Sequence, residues 1–170
     1  GVVAYHVRDR HPGYAVDLSL PAGPDAPLEA GFAALAITPE VPDRWVDANG
    51  NARRDPDELF ADGNANGRFD PVWLAGFHSG RPAVDVHDDL WARAMVLGDG
   101  RARVAVVVLD AIGLLHDQVV DVRSRVALET QIDHVIVATT HTHQAPDLMG
   151  LWGPRIGRSG VDPAYLQRVV

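Results

Sequence analysis

Residues 102–110 read ARVAVVVLD, and residues 134–138 read HVIVA. The first run is almost continuously apolar, as expected for a strand covered on both faces. Between the runs, Leu115, Val119, Val122 and Val126 recur at i, i+4, i+7 and i+11, with Asp117, Asp121, Arg123 and Arg125 between them. That spacing gathers the apolar side chains on one stripe and predicts an amphipathic helix. Strand, helix and strand within residues 102–138 make a βαβ unit, whose two strands should lie parallel and adjacent or nearly so. The expected fold class is α/β or mixed α+β, built on a central sheet.

Working outward, Trp91–Leu97 is a second strand-like run, joined to the first by Gly98-Asp99-Gly100, a strong hairpin signal. Gly31–Ile37 (GFAALAI), closed by Thr38-Pro39, reads as a short buried strand. Residues 41–73 are polar and turn-rich, and residues 1–29 read as a peripheral arm or the end of an upstream segment. Asp162 followed by Pro163 is a good N-cap and first-turn pair for a helix running to Val170. The chain opens at Gly1 without Met and stops inside that helix, so it reads as a fragment. The absence of a signal peptide therefore leaves the compartment open.

In sheets of this kind, sites gather just beyond the carboxyl ends of the strands. The residues delivered there are Asp110, closing the first strand, and Thr139-Thr140-His141-Thr142-His143, closing the second. Two histidines and an aspartate at one sheet edge exceed what a scaffold requires.

Composition narrows the classes. The net charge is −8, all 15 basic residues are arginine, and cysteine is absent. These exclude a disulfide framework and a Cys-based zinc site. They also argue against nucleic acid as a partner, since neutralising phosphates needs a basic face. No run reaches the ~20 apolar residues that span a bilayer, which leaves room only for peripheral membrane contact.

Of the 23 acids, 19 are Asp, and all four Asn fall within residues 47–70. That window is an internal repeat: DANGNARRDPDELFA (47–61) aligns with DGNANGRFDPVWLAG (62–76). The first copy offers Asp47, Asn49, Asn51 and Asp55, and the second Asp62, Asn64, Asn66 and Asp70, at positions 1, 3, 5 and 9 of a calcium-loop pattern. Calcium takes six to eight oxygens, and alternating short side chains in a tight loop aim oxygens at one centre. The first copy has Glu58 at position 12 but Ala52 where the turn wants glycine; the second has Gly67 at the turn but Trp73 at position 12. Solvated Asx turns without any metal are the other reading. The repeated odd-position pattern exceeds what turn formation alone demands.

In an extended segment residues two apart face one side, so His141 and His143 are expected to present both imidazoles to one cavity. Neutral imidazole is a good zinc ligand, and catalytic zinc uses about three protein ligands plus a water. Two polar loop residues ahead of Pro146 are the simpler alternative. His6, His11, His78, His116 and His134 share no spacing and read as surface or structural residues. Trp152 is either an aromatic lip over the site or a packing residue. No G-x-S-x-G elbow or phosphate-binding glycine loop occurs.

THTHQAPD (140–147), after its HVIVAT strand, resembles the T-H-T-H-S-G-P segment of the neutral/alkaline non-lysosomal ceramidase family, N-terminal domain. AGFAALAITP (30–39) resembles that family's A-D-I-T strand, and LAGF (74–77) its M-G-Y turn. VHDDLWARAMVL (86–97) resembles its I-H-x-x-x-x-A-R-A-F strand, and VVVLDAIGL (106–114) its strand ending in D-L-G. The resemblance spans about residues 30–155 and rests on the order of these segments.

It implies that residues 30–170 are the N-terminal part of a catalytic domain, carrying the calcium-loop-like insert at 47–76. It also implies a zinc-dependent amidohydrolase that cleaves the N-acyl bond of ceramide or another lipid or small-molecule amide. The expected setting is secreted or periplasmic. By the same resemblance His141 is a zinc ligand, and His143 faces substrate and steadies the oxyanion. Asp110 and His87 are supports behind the metal ligands. Topology makes Asp110 the nearest carboxylate for a metal-bound histidine, while a cap or turn role is the alternative. The remaining zinc ligands, a second His, a Glu and a Tyr, would come from sequence beyond Val170. Three departures stand out: Gln144-Ala145 replaces S-G, Ala36 replaces the Asp of A-D-I-T, and the 41–73 insert lacks a counterpart. Zinc chemistry on a different amide or ester is the nearest alternative. A calcium-stabilised extracellular binding module is the alternative from another class.

Overall fold

The computed structural model describes residues 4–5, 7–19 and 27–170. Its strands are β1 (Glu29–Ala36), β2 (Asp43–Trp45), β3 (Phe60–Asp62), β4 (Trp91–Gly98), β5 (Arg103–Leu109) and β6 (His134–Thr139), with helices α1 (His116–Glu129) and α2 (Pro163–Val169). The fold is mixed α+β. A four-stranded sheet runs in the order β1-β4-β5-β6, and β2 pairs with β3 in a separate ribbon. β1, β4 and β5 pair antiparallel, whereas β5 and β6 pair parallel from Val104↔His134 to Leu109↔Thr139. The parallel pair joined through α1 is the expected βαβ unit.

Local chemistry explains the joints. Asp99 closes the β4–β5 hairpin by accepting from the Arg101 and Ala102 amides at 3.0 Å each. Gln118 Oε1 accepts from the Leu115 amide at 2.7 Å, taking up a donor at the start of α1 where Leu115 has no capping oxygen. Asp162 caps α2, accepting from Ala164 N at 2.8 Å and Tyr165 N at 3.3 Å.

Two expectations are corrected. β1 is a strand but not a buried one: every residue in it is exposed, with Phe32 at 77%. It is the sheet edge, and an apolar run reports strand preference without reporting what covers it. Asp117, expected on the wet side of α1, is buried because Arg10 reaches it through its amide (2.8 Å) and guanidinium (3.0 Å). Burial alone would raise this carboxyl, but the Arg10 contacts outweigh it and hold the pKa below its ordinary value.

The core lies at the carboxyl ends of the central strands: Ile37, Leu109, Ala111, Leu148 and Tyr165 are buried together, with Val107, Val137 and Leu166 packed against them. Burying a Leu or Ile side chain contributes about 1.5–3 kcal/mol. This packing therefore rigidifies the edge from which the site loops project. No helix among the described residues is long and apolar enough to cross a membrane.

Candidate functional site

β6 ends at Thr139, and the Thr140 amide still donates to the Leu109 carbonyl at 2.9 Å, extending the ladder one step. The chain then leaves extended geometry: His141 sits at φ 60° in the left-handed region. The two imidazoles therefore do not meet through strand alternation. They meet because the loop folds back, with ring centroids 5.2 Å apart at 71°. His141 Nδ1 lies 2.8 Å from the Ile112 carbonyl. A carbonyl only accepts, so Nδ1 carries the proton and Nε2 keeps the lone pair that a metal requires.

His143 is wedged against the turn at residues 76–77. Its ring centroid lies 4.6 Å from that of Phe77, and a Cβ on Gly76 would fall 2.2 Å from its Nδ1. That Nδ1 is buried without a hydrogen-bond partner among the described residues. The wedge is held by the backbone. Ala75 N donates to Ala145 O at 2.9 Å, Asp147 N donates to Trp73 O at 2.8 Å, and Leu74 bridges Pro146. Arg81 is buried and donates from Nη2 to the carbonyls of Ala75 (2.6 Å) and His143, tying turn to loop. Burial pulls its guanidinium below the usual value. Asp147 is fully buried and collects five amides, from Met149, Gly150 and Leu151 on Oδ1 and from Trp152 and Gly160 on Oδ2.

Asp110 reaches the same sheet edge, but its carboxylate turns toward β4. It accepts from Trp91 N at 2.9 Å and pairs with Arg93 at 3.1 Å. The Ile112 carbonyl, not Asp110, is the hydrogen-bond partner of His141 Nδ1, and the Asp110 carboxylate is engaged with β4. His87 is 95% exposed and lies 2.6 Å from Asp88, whose hydrogen bond and charge raise its pKa. No hydrogen bond among the described residues joins it to His141 or His143. Of the remaining histidines, His11 faces Asp121 at 3.7 Å, His78 Nδ1 lies 3.0 Å from Ser79 O, and His116 stacks edge-on with Tyr14; His6 lies outside the described residues.

The two repeat loops share one conformation. In each, the position-1 carboxylate takes the amides of positions 5 and 6: Asp47 from Asn51 and Ala52, Asp62 from Asn66 and Gly67. The position-9 carboxylate takes both asparagine amides, Asn49 and Asn51 on Asp55 Oδ2, and Asn64 and Asn66 on Asp70 Oδ2. Those contacts, the asparagine hydrogen bonds foremost, hold the Asp70 pKa below its ordinary value. Glu58 accepts from Ala48 N and Asp55 N at 2.9 Å each, bracing the first loop. Buried Asp43 does the same for the second, accepting from Gly63 N at 3.0 Å and Asp70 N at 2.6 Å. Among the described residues, no three His, Asp or Glu side chains cluster closely enough to hold a metal ion. Asparagine oxygens would have to complete any loop site, and further ligands any zinc site.

Two clefts lie near the histidines: one includes loop residues in its lining, and the other reaches the site through Phe77, which packs on His143. One, of about 660 Å³, is lined by Thr142, Gln144, Arg81 and the acids Asp47, Asp85, Asp88, Asp89 and Asp110. The other, of about 750 Å³, is lined by Arg53, Arg54, Arg155, His78, Phe77 and Trp152 among others. Trp152 is half-buried in the second wall, with its amide on Asp147.

Sequence reasoning assigned no role to Gly76, Phe77, Arg81 or Asp147. Gly76 and Phe77 lie inside the LAGF segment and Asp147 inside THTHQAPD, so the family resemblance touched them; Arg81 carries no such mark. No family model matches the chain, and no curated protein does. Among solved structures, a ceramidase complexed with C2 resembles it with TM-score 0.49 at 21% identity, over 72% of this chain and 16% of its own. The neutral ceramidase from Pseudomonas aeruginosa gives the same figures. The chain spans 16% of the length of the solved structures it resembles.

Proposed function

We propose that this chain carries the His141–His143 part of a zinc-dependent hydrolase that cleaves an N-acyl amide bond such as that of ceramide. The carrying observation is the histidine pair itself. It lies just past the carboxyl end of a parallel strand, with His141 Nδ1 held by the Ile112 carbonyl so that Nε2 is available to a metal. The ordered resemblance of residues 30–155 to the neutral/alkaline ceramidases supports the same reading. A zinc ion held by His141 and ligands from elsewhere would supply carbonyl polarisation and a water of lowered pKa. His143 supplies a donor. With Nδ1 buried and unpartnered, its lower-energy tautomer keeps the proton on Nε2, the form that hydrogen-bonds a developing oxyanion. Arg81 and Gly76 position that ring, the first through the His143 carbonyl and the second by leaving room for it.

The repeat loops in this reading bind calcium and brace the wall beside the site, outside the cytoplasm. A calcium-stabilised binding module without catalysis is the competing reading, since no three-ligand cluster exists among the described residues. Zinc content and N-acyl hydrolysis of the full-length protein separate the two. The expected result is bound zinc that is lost, together with hydrolysis, in His141→Ala. Calcium alone, with no hydrolysis of any N-acyl substrate, would reject the enzyme.

A further inference from the structure

The two clefts near the histidines differ in charge, in a chain whose net charge is −8. Of the charged side chains lining the one beside Thr142 and Gln144, five are aspartates and one is Arg81, whereas the one beside Phe77 gathers three arginines and one aspartate. Arg54 is committed to the fold: it donates to the Asp55 carbonyl at 3.0 Å and the Glu58 carbonyl at 2.9 Å, and stacks on Phe69 and Phe60. Arg53 and Arg155 are exposed, and neither guanidinium makes an ion pair or hydrogen bond among the described residues. The one acid on this wall, Asp55, is occupied by the Asn49 and Asn51 amides. Phe77 and Trp152 add aromatic surface to the cleft's lining, and the Phe77 ring is the one packed at a tilt against His143.

We infer that this cleft is a substrate subsite for an anionic group carried by the amide to be cleaved, with Arg53 and Arg155 as its recognition residues. Guanidinium is always charged and matches carboxylate or phosphate oxygens through paired donors. The Phe77 and Trp152 rings beside it offer aromatic surface to the adjoining hydrocarbon, so the substrate is an amphiphilic acyl amide with a charged end, in contrast to ceramide, which has none. The inference rests on the hydrolase reading for its word substrate, but binding tests it separately from turnover.

The full-length protein is titrated by calorimetry with N-octanoylglycine, with phosphorylated N-octanoylethanolamine, and with N-octanoylethanolamine as neutral reference. At least one anion should bind about tenfold or more tightly than the neutral amide. That preference should weaken with added salt and vanish in the Arg53→Gln/Arg155→Gln pair, while Arg158→Gln, an exposed arginine outside the cleft, keeps it. Equal binding of neutral and anionic amides, or a preference that survives the double substitution, overturns the subsite. Anion preference without hydrolysis of any of the three keeps the subsite and removes the enzyme; hydrolysis without anion preference does the reverse.

Discussion

Asp99 and Gly76 show how much single positions decide here. The Asp99 pKa falls from its ordinary 3.8 to about 2, chiefly through the Ala102 amide, then through the Arg101 amide and side chain. Folding therefore favours the carboxylate. Its contribution is complete above pH ~4 and is lost as pH falls toward ~2. Asp99→Ala should lower Tm at neutral pH, and its gap from wild type should close between about pH 4 and pH 2; a gap that ignores pH would refute this. Gly76 combines φ 83° with a His143 ring where its Cβ would stand. In Gly76→Ala the left-handed backbone alone costs about 1 kcal/mol, or ~2–4 °C in Tm for a chain of this size. The His143 imidazole resonances should shift as the ring is displaced, and unshifted resonances would show that the wedge is not tight. Neither effect could be seen from sequence. A glycine in LAGF announces a turn, but which ring leans on it depends on a loop some 65 residues away.

At the scale of elements, the repeat is legible in sequence, and its two copies adopt one backbone turn. At position 6, where the pattern asks for glycine, Ala52 in the first copy adopts φ 56°, matching Gly67 at 79° in the second. Position 4 shows the converse, Gly50 at 71° and Ala65 at 56°. The turn is imposed by the position-1 carboxylate pulling two amides inward, so the residue at the bend is secondary. If the loops hold calcium, saturating Ca²⁺ raises wild-type Tm and EDTA lowers it, with ~2.7 kcal/mol gained at a hundredfold excess over Kd. Asp62→Ala should both lower the starting Tm and blunt the response to Ca²⁺. A wild-type Tm indifferent to Ca²⁺ would leave only Asx turns. The βαβ unit and the hairpin were readable because apolar period and turn chemistry are local. The burial of Asp117 was not, because its partner Arg10 lies 107 residues away.

Across the whole molecule, the pairing of β1 with β4 is the step sequence reasoning could not supply, since residues 37–90 separate the two strands. That separation also sets an order of assembly. Residues 91–139 contain the hairpin, α1 and β6, whose contacts are comparatively short in sequence. β1 must close the loop of residues 37–90, about twice the length of the β5–β6 connection, at an entropy cost that grows as the logarithm of its length. It then adds to a preformed sheet with both its faces in water. Its amides should exchange with solvent well before those of β5, and equal protection in the two strands would contradict this order. Ile37, one residue past β1, reaches the core only with that strand, and Arg168 at the far end of the chain donates to the Ile37 and Thr38 carbonyls at 3.3 and 3.0 Å. The segment just past β1 and helix α2 thus meet at the core, tied by these two hydrogen bonds. The strand expected to open first is therefore the edge of the sheet opposite β6, so loosening there need not disturb the loop that carries the histidines.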